Sequence, residues 1–148
     1  MHLSTPTVPL LNEQICFALY NASHALTSHY RELLEPLGVT YPQYLALLVL
    51  WETGDTSVGM LGTRLQLDSG TLSPLLRRLE KAGLTARSRP EHDERTVLVS
   101  LTPKGSDLRH LAKGIPDLVC AATGLDVASI QSLRDQIAAL SQHVRSLA

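Results

Sequence analysis

The sequence predicts a mainly α-helical fold of the α+β class, with helices at both ends around a central module that carries one β-hairpin. Three observations support this prediction. The 148 residues are 44% hydrophobic but only 4% aromatic, which suits a core of Leu, Val and Ala. Apolar residues recur at three- and four-residue steps near both ends, as in amphipathic helices. Two extended-type runs lie between these ends. The length fits one domain, residues 1–148.

The first predicted helix covers residues 11–37, where apolar side chains follow the helical period. Gly38 is expected to end it, because glycine readily adopts the left-handed conformation of a helix C-cap. Thr40 and Pro42 provide a cap and a first-turn proline for a second helix. Residues 44–51 are almost wholly apolar, so we expect this second helix to be buried.

Two helices joined by a tight turn come next. Ser57 is expected to cap the shorter one, and the other is predicted over residues 71–82. Pro74 would break a hydrogen bond deep inside a helix. The helix therefore either begins near Thr71, which leaves Pro74 in the first turn, or has a loosened backbone at residues 68–70.

A β-hairpin and further helices complete the chain. Residues 84–89 and 96–101 are extended-type runs on either side of a charged turn, which predicts the hairpin. Pro103 opens another helix, which we expect to be disturbed at residues 114–116. Asp126 is expected to cap the last helix. A helix-turn-helix followed by such a hairpin is a winged helix-turn-helix.

The terminal helices are predicted to form a dimerisation part. They cover residues 10–38 and 103–148, and the winged lobe covers residues 40–101. Apolar stripes on both terminal regions would be buried if two copies of the chain packed across a two-fold axis. The alternative is that the stripes only cover the chain's own core. We therefore expect a homodimer, with that alternative open.

The charges point to the middle of the chain as a nucleic-acid-binding module. Between Arg64 and Arg109 lie nine basic and six acidic residues, whereas the remainder has four basic and eight acidic ones. Residues before Leu10 do not resemble a signal peptide, and no run has transmembrane length. Two cysteines 104 positions apart fit neither a disulfide-rich scaffold nor a Cys-x-x-Cys site. These features predict a cytoplasmic protein without membrane contact.

We expect neither a metal site nor a cofactor. Of the six histidines, His24 and His29 lie five residues apart. This spacing turns them by about 140° around a helix, so they do not share a face.

The second helix of a helix-turn-helix lies in the major groove of double-stranded DNA, with its N-terminal residues near base edges and phosphates. The candidate DNA-binding residues of this helix are Asp68, Ser69, Thr71, Ser73 and Arg77. The hairpin candidates are Arg87, Arg89, Asp93 and Arg95. Asp93 is expected to hold Arg95 in place by a charge-assisted bond. The alternative is that the hairpin tip is only a solvated charged turn.

Two sets of motifs resemble a known family. Residues 67–84, LDSGTLSPLLRRLEKAGL, followed by DER at 93–95 and LTPKG at 101–105, resemble the MarR family of winged-helix regulators. Residues 15–20 and 37–44 further resemble its organic-hydroperoxide-sensing OhrR repressors, here of the two-cysteine type. The resemblance covers most of the chain. It implies a dimeric repressor that binds operator DNA, and not an enzyme.

The resemblance implies that Cys16 is the peroxide-sensing thiol and that the hydroxyls of Tyr30 and Tyr41 bond its sulfur. Cys16 and Tyr30 are fourteen residues apart on one predicted helix, or about 21 Å. If Tyr30 serves Cys16, it must therefore come from the other chain. Tyr20, one turn after Cys16, lines the pocket or merely packs. Taken alone, a helical cysteine is more often a buried small hydrophobe than a sensor.

The resemblance also implies a role for Cys120 as the resolving cysteine, which forms an intersubunit disulfide with oxidised Cys16. Alternatively, Cys120 is inert and a small-molecule thiol caps Cys16. The implied function is a repressor released from DNA when an organic hydroperoxide oxidises Cys16. Two other functions stay open: a MarR-type regulator induced by a non-oxidising ligand at the dimer interface, and a thiol peroxidase, although the peroxidase scaffold is missing.

Overall fold

The computed structural model of the chain describes residues 10–93 and 95–148. Glu94, in the predicted hairpin turn, lies outside the described residues. So do the residues before Leu10, where the sequence predicted no signal peptide. The helices are α1 (Ile15–Leu34), α2 (Tyr41–Thr53), α3 (Val58–Leu65), α4 (Ser69–Lys81), α5 (Pro103–Ala112), α6 (Ile115–Ala122) and α7 (Val127–Ser146). The strands are β1 (Thr56–Ser57), β2 (Thr85–Ser88) and β3 (Leu98–Leu101). The mainly α-helical winged fold predicted from the sequence is therefore confirmed.

The chain divides into two compact units, one ending at Ala112 and the other spanning Lys113–Ala148. The first contains α1 to α5 and the sheet, and the second contains α6 and α7. Within the first unit, α5 contacts α2, β3 and the short 3₁₀ helix Glu35–Leu37. The assignment of residues 10–38 and 103–148 to dimerisation stays a prediction.

The helical region predicted over residues 11–37 is confirmed, although its ends are tighter than an α-helix. Leu11–Glu13 and Glu35–Leu37 form 3₁₀ turns on either side of α1. Pro36 has no N–H to continue the α-helical hydrogen bonds, which explains the change of helix type. Gly38 then adopts a positive φ of 70° and its N–H donates to the Leu34 carbonyl, as predicted for a C-cap.

Helix α2 lies at the centre of the first unit and contacts α1, α3, α4, α5 and β3. The Thr40 hydroxyl accepts a hydrogen bond from the Gln43 N–H, and the Gln43 side chain accepts one from the Thr40 N–H. This capping box fixes where α2 begins. Its buried side chains are Tyr44, Ala46, Leu47, Val49 and Leu50. The buried helix predicted at 44–51 is thus confirmed.

Helix α4 begins two residues earlier than predicted. The Asp68 carboxylate accepts a hydrogen bond of 2.8 Å from the Thr71 N–H and so caps a helix that starts at Ser69. Pro74 consequently lies inside the helix and not in its first turn, so that expectation was wrong. The hydrogen bond that Pro74 cannot donate is offset by one buried face. That face consists of Leu72, Leu75, Leu76 and Leu79.

The predicted hairpin is confirmed as the antiparallel pair β2 and β3, with Thr85 opposite Leu101. The sequence did not predict β1, which pairs with the other edge of β3 and places Thr56 opposite Val99. A strand of two residues is too short to show an alternating pattern.

The second unit contains the break predicted near 114–116. Gly114 precedes α6, and Pro116 lies in its first turn. The Asp126 carboxylate accepts a 2.7 Å hydrogen bond from the Ser129 N–H, which confirms the predicted cap of α7. Helix α7 has no buried residue. Its most exposed large apolar side chains are Val127, Leu133, Ile137, Leu140 and Val144.

No single helix in the described part of the chain is long and apolar enough to cross a membrane. The bent pair Ile15–Leu37 and Tyr41–Thr53 meets that requirement only when the two are taken together, by length and composition.

Candidate nucleic-acid interface and thiol site

The exposed face of α4 carries most of the predicted DNA-binding residues of that helix. Because its four leucines form one buried stripe, the remaining positions face solvent. The exposed candidates are Ser69, Thr71, Ser73 and Arg77. Their hydroxyls and guanidinium suit contacts with base edges and phosphates. The structure thus leaves all four side chains accessible, spread around the solvent-exposed part of α4.

Asp68 has a different position from its neighbours, because its carboxylate is used as the N-cap of α4. The Thr71 N–H, together with the Thr71 hydroxyl, holds the pKa of Asp68 below its ordinary value. An ionised carboxylate repels phosphate. In this structure the Asp68 carboxylate therefore caps the N-terminus of α4.

An ion pair joins the wing, which is the hairpin of β2 and β3, to α4, the candidate recognition helix. Both Nε and Nη2 of Arg87 contact Oε2 of Glu80, at 3.0 and 2.9 Å. This pair connects β2 with α4, and both side chains are 40% exposed. Arg89, the next arginine, is also exposed.

Asp93 holds the tip of the wing through the backbone. Its carboxylate accepts hydrogen bonds from the Thr96 hydroxyl at 2.8 Å and from the Arg95 N–H at 3.0 Å. These two donors lower the pKa of Asp93. The predicted contact with Arg95 is present, but the Arg95 amide makes it, which leaves the exposed guanidinium of Arg95 clear of that bond.

The start of α5 is tied to the end of α4 by three hydrogen bonds. The Thr102 hydroxyl donates to the Gly83 carbonyl at 2.6 Å, and Nζ of Lys104 donates to the Ala82 carbonyl at 3.0 Å. The Thr102 N–H also donates to the Leu84 carbonyl. The motif at 101–105 that carried the family resemblance therefore anchors the recognition helix.

Trp51 was not singled out by the sequence. Its indole Nε1 donates to the Gly105 carbonyl at 2.9 Å and so connects α2 with the first turn of α5. The two residues are 54 positions apart. No local pattern in the sequence signals such a contact.

The structure brings the predicted tyrosines Tyr30 and Tyr41 together. Their ring centroids lie 4.6 Å apart, and Tyr44 lies 5.8 Å from Tyr30. Burial raises the pKa of Tyr41. The pKa of Tyr44 is raised mainly by burial and also by the negative charge of an ionised Tyr41. Both phenols therefore stay protonated near neutral pH and can donate hydrogen bonds.

A cleft of about 500 Å³ lies beside this pair, within the first unit. It is lined by Thr27, Arg31, Val39, Thr40, Tyr41 and Pro42. Its volume is within the range of small-molecule sites. Among the lining residues that the structure describes, Arg31 is the cation, and the sequence analysis did not identify it.

Cys16 lies in the first turn of α1 as an exposed free thiol. Because α1 is unbroken from Ile15 to Leu34, Tyr30 of the same chain lies about 21 Å further along the helix. Tyr20, one turn after Cys16, is 64% exposed and contacts His24 edge-on, with ring centroids 5.0 Å apart. Within one copy, Tyr30 therefore contacts Tyr41, whereas Cys16 lies far from Tyr30 on the same helix.

Cys120 is a second exposed free thiol, near the end of α6 in the second unit. Its carbonyl accepts a 2.6 Å hydrogen bond from the Thr123 hydroxyl. In residues 10–93 and 95–148, no group of three or more His, Cys, Asp or Glu is arranged to hold a metal ion.

Several known proteins resemble this chain in sequence and fold. Residues 28–110 match the family model described as transcriptional regulator SarA/Rot. The chain is 47% identical over 130 residues to the organic hydroperoxide resistance transcriptional regulator of Bacillus subtilis (strain 168), covering 88% of this chain and 86% of that one.

Two solved structures of AbfR, a protein of Staphylococcus epidermidis, are also similar. Reduced AbfR bound to DNA matches with a TM-score of 0.78 and 31% identity, covering 93% of this chain and 94% of that chain. Disulfide-formed AbfR matches with a TM-score of 0.64 and 32% identity, covering 88% and 91%. The chain therefore belongs to the MarR family of winged-helix transcriptional regulators, and it is similar to the OhrR members of that family.

Proposed function

We propose that this protein is a homodimeric repressor that binds operator DNA when Cys16 is reduced and leaves it when an organic hydroperoxide oxidises Cys16. One observation carries the proposal. The rings of Tyr30 and Tyr41 lie 4.6 Å apart, while Cys16 lies exposed about 21 Å from Tyr30 on the same helix. A second copy whose α1 runs antiparallel would bring its Cys16 to this pair.

The proposed pocket favours a reactive thiol. Peroxides react with the thiolate, and hydrogen-bond donors stabilise its negative charge. The Cys16 sulfur attacks one oxygen of the hydroperoxide and the O–O bond breaks. The sulfur becomes a sulfenic acid, and the other oxygen takes a proton and leaves as an alcohol. The peroxide gains the two electrons that the sulfur loses.

Cys120 is proposed to complete the reaction. Its thiolate attacks the sulfenic sulfur of the partner's Cys16 and forms the S–S bond, while the S–O bond breaks and the hydroxide takes a proton from solvent and leaves as water. Exposure of both thiols supports this step. A disulfide requires Cα atoms within about 7 Å, so its formation fixes where two segments of the dimer lie.

The DNA-binding part of the proposal rests on α4 and the wing. Operator half-sites lie about 34 to 36 Å apart, so both α4 helices must be correctly spaced to bind together. A disulfide that moves the dimerisation helices changes this spacing. AbfR structures have been solved in a reduced and an overoxidised form, both bound to DNA, and in a disulfide form, which supports the disulfide and not oxidation of the sulfur alone as the step that acts on DNA binding.

A DNA-binding titration tests the proposal. A duplex selected from a random pool by the reduced protein serves as the probe, and Kd is measured by fluorescence anisotropy before and after cumene hydroperoxide. Oxidation should weaken binding by wild type by about tenfold or more, within the usual range of allosteric coupling. The variant Cys16→Ser should bind equally with and without peroxide. Unchanged binding by fully oxidised wild type would overturn the proposal.

The cleft beside Tyr41 favours a second candidate function, a regulator released by a small carboxylate ligand. Arg31 offers that cleft a guanidinium, which suits a carboxylate. In that case Cys16→Ser would respond to the ligand as wild type does, and Arg31→Gln would not. The peroxide titration separates the two functions.

A further inference from the structure

A continuous series of contacts leads from the tyrosine pair to Trp51. The ring of Tyr41 contacts Tyr30, Tyr30 contacts Tyr44, and Tyr44 contacts Trp51, with centroids 4.6, 5.8 and 6.2 Å apart. Tyr44 is only 2% exposed, so this middle ring is enclosed by its neighbours. Because α2 supplies three of the four rings, a displacement of the tyrosine pair acts on one rigid helix.

The series continues from Trp51 to the end of the recognition helix. The Trp51 N–H donates to the Gly105 carbonyl at 2.9 Å, and the Gly105 N–H donates to the Thr102 hydroxyl at 3.1 Å. That hydroxyl donates in turn to Gly83, just after α4. Each step from Trp51 to Gly83 is a directional hydrogen bond.

The α5 end of this series has no slack. A Cβ atom at Gly105 would overlap the backbone carbonyl of Leu84, the residue that opens the wing. The first turn of α5 is therefore packed directly on the chain between α4 and β2. Closely packed interiors transmit displacement, because they contain few voids that absorb it.

We propose that Trp51 is a positioning residue that couples the tyrosine pair to the recognition helix through its hydrogen bond to Gly105. The proposal rests on the proposed function, because it takes the oxidation of Cys16 at the tyrosine pair as the signal. A change at Tyr30 and Tyr41 shifts α2, Trp51 moves the first turn of α5, and Thr102 moves the end of α4. The spacing of the two recognition helices then follows the redox state.

The variant Trp51→Phe tests this coupling, since it keeps an aromatic ring beside Tyr44 and removes the N–H. Two quantities are measured for each protein: the rate of Cys16 thiol loss with cumene hydroperoxide, and the ratio of Kd for the selected duplex in oxidised and reduced protein. Thr102→Val, which removes the next donor, is the second variant. Glu52→Ala is the matched control, because it removes a different contact of α2, the 3.0 Å ion pair with Arg64.

For Trp51→Phe and Thr102→Val we expect thiol oxidation at the wild-type rate. Their ratio of oxidised to reduced Kd should fall by about fivefold or more, the lower end of typical coupling. Glu52→Ala should keep the wild-type ratio. A wild-type ratio in folded Trp51→Phe overturns the inference, whereas a ratio of one in wild type itself overturns the proposed function and the inference with it.

A measurement on wild type needs no variant. Trp51 is the single tryptophan of the sequence, so the tryptophan emission reports on this position alone. Oxidation should shift the emission maximum and Cys16→Ser should abolish the shift. An emission spectrum that stays the same while DNA is released contradicts the role of Trp51.

Discussion

Gly105 lies in the first turn of α5, where its Cα faces the main chain of Leu84. Its carbonyl accepts the Trp51 N–H and its own N–H donates to Thr102. No side chain fits between these groups without moving backbone. A single hydrogen atom at this position thus lets three segments of the first unit meet.

The variant Gly105→Ala should therefore be destabilised. The added methyl group overlaps a backbone carbonyl, and such overpacking costs about 1–3 kcal/mol. Chemical unfolding of the reduced protein measures the loss. Gly59→Ala is the matched control. Gly59 belongs to α3 and a Cβ there meets no neighbouring atom, so this variant should raise the free energy of unfolding by about 0.5–1 kcal/mol. Equal stability of the two variants would contradict this packing.

Three carboxylates should make the stability of the fold depend on pH. Asp68 and Asp126 cap helices and Asp93 ties the wing tip, and hydrogen bonds lower the pKa of all three. A lowered folded-state pKa adds stability above the unfolded value of about 3.9, and this stability is lost as pH falls through the folded pKa. Melting temperature should thus fall between about pH 5 and pH 3.

Asp126→Asn separates this effect from general acid sensitivity. Asparagine accepts the same capping hydrogen bond without titrating, so the variant should lose less of its melting temperature than wild type over that pH range. Asp107→Asn, on the exposed side of α5, is the control and should follow wild type. Identical pH profiles for Asp126→Asn and wild type would show that the cap does not contribute.

At the scale of elements, α4 has one buried leucine face and one exposed polar face, and Asp68 fixes its beginning. Contacts at its end tie it to α5, and the Arg87–Glu80 pair ties it to β2. The helix is therefore held from both ends and from the side. These contacts fix the backbone of α4 relative to α5 and β2.

Arg77→Ala should weaken DNA binding by about 1–3 kcal/mol, because arginine in a recognition helix bonds guanine or phosphate. Anisotropy with the selected duplex measures the change. Arg87→Ala should have a smaller effect, since its guanidinium already contacts Glu80. The reverse order of the two variants would mean that the wing, and not α4, dominates binding.

Local sequence signals predicted most of these elements. The contacts between residues distant in sequence were not predicted. Thr40 predicted the N-cap of α2 and Gly38 predicted the C-cap after Leu37, and the structure contains both. The start of α4 was misplaced because Pro74 argued for a later start than the capping Asp68 permits. β1 has two residues, and the Trp51 contact spans 54 positions, so neither leaves a periodic pattern.

The thiol site stays a prediction from the family resemblance. The contact between the rings of Tyr30 and Tyr41 follows from the packing of α1 against α2 and was not itself predicted. The cleft and Arg31 were not predicted, since a cavity depends on how elements pack. The roles of Cys16, Cys120 and Tyr20 stay predictions.

At the scale of the whole molecule, the proposed switch needs two copies of the chain. Cys16 and Tyr30 of one copy are held about 21 Å apart by a continuous helix. Helix α7 has no buried residue and presents exposed apolar side chains, which a second copy would cover. Redox chemistry and dimerisation would then share one interface, so oxidation acts directly on the spacing of the two α4 helices.

Peptide mapping of mixed dimers tests this claim most directly. Equal amounts of ¹⁴N- and ¹⁵N-labelled protein exchange subunits, are oxidised with cumene hydroperoxide, and are digested without reductant. Mass spectrometry then identifies the disulfide-linked peptides of Cys16 and Cys120. A disulfide between copies predicts mixed-isotope pairs as abundant as the single-isotope pairs. Only single-isotope pairs, or no linked pair while oxidised protein releases DNA, would contradict a switch built from Cys16 of one copy and Cys120 of the other.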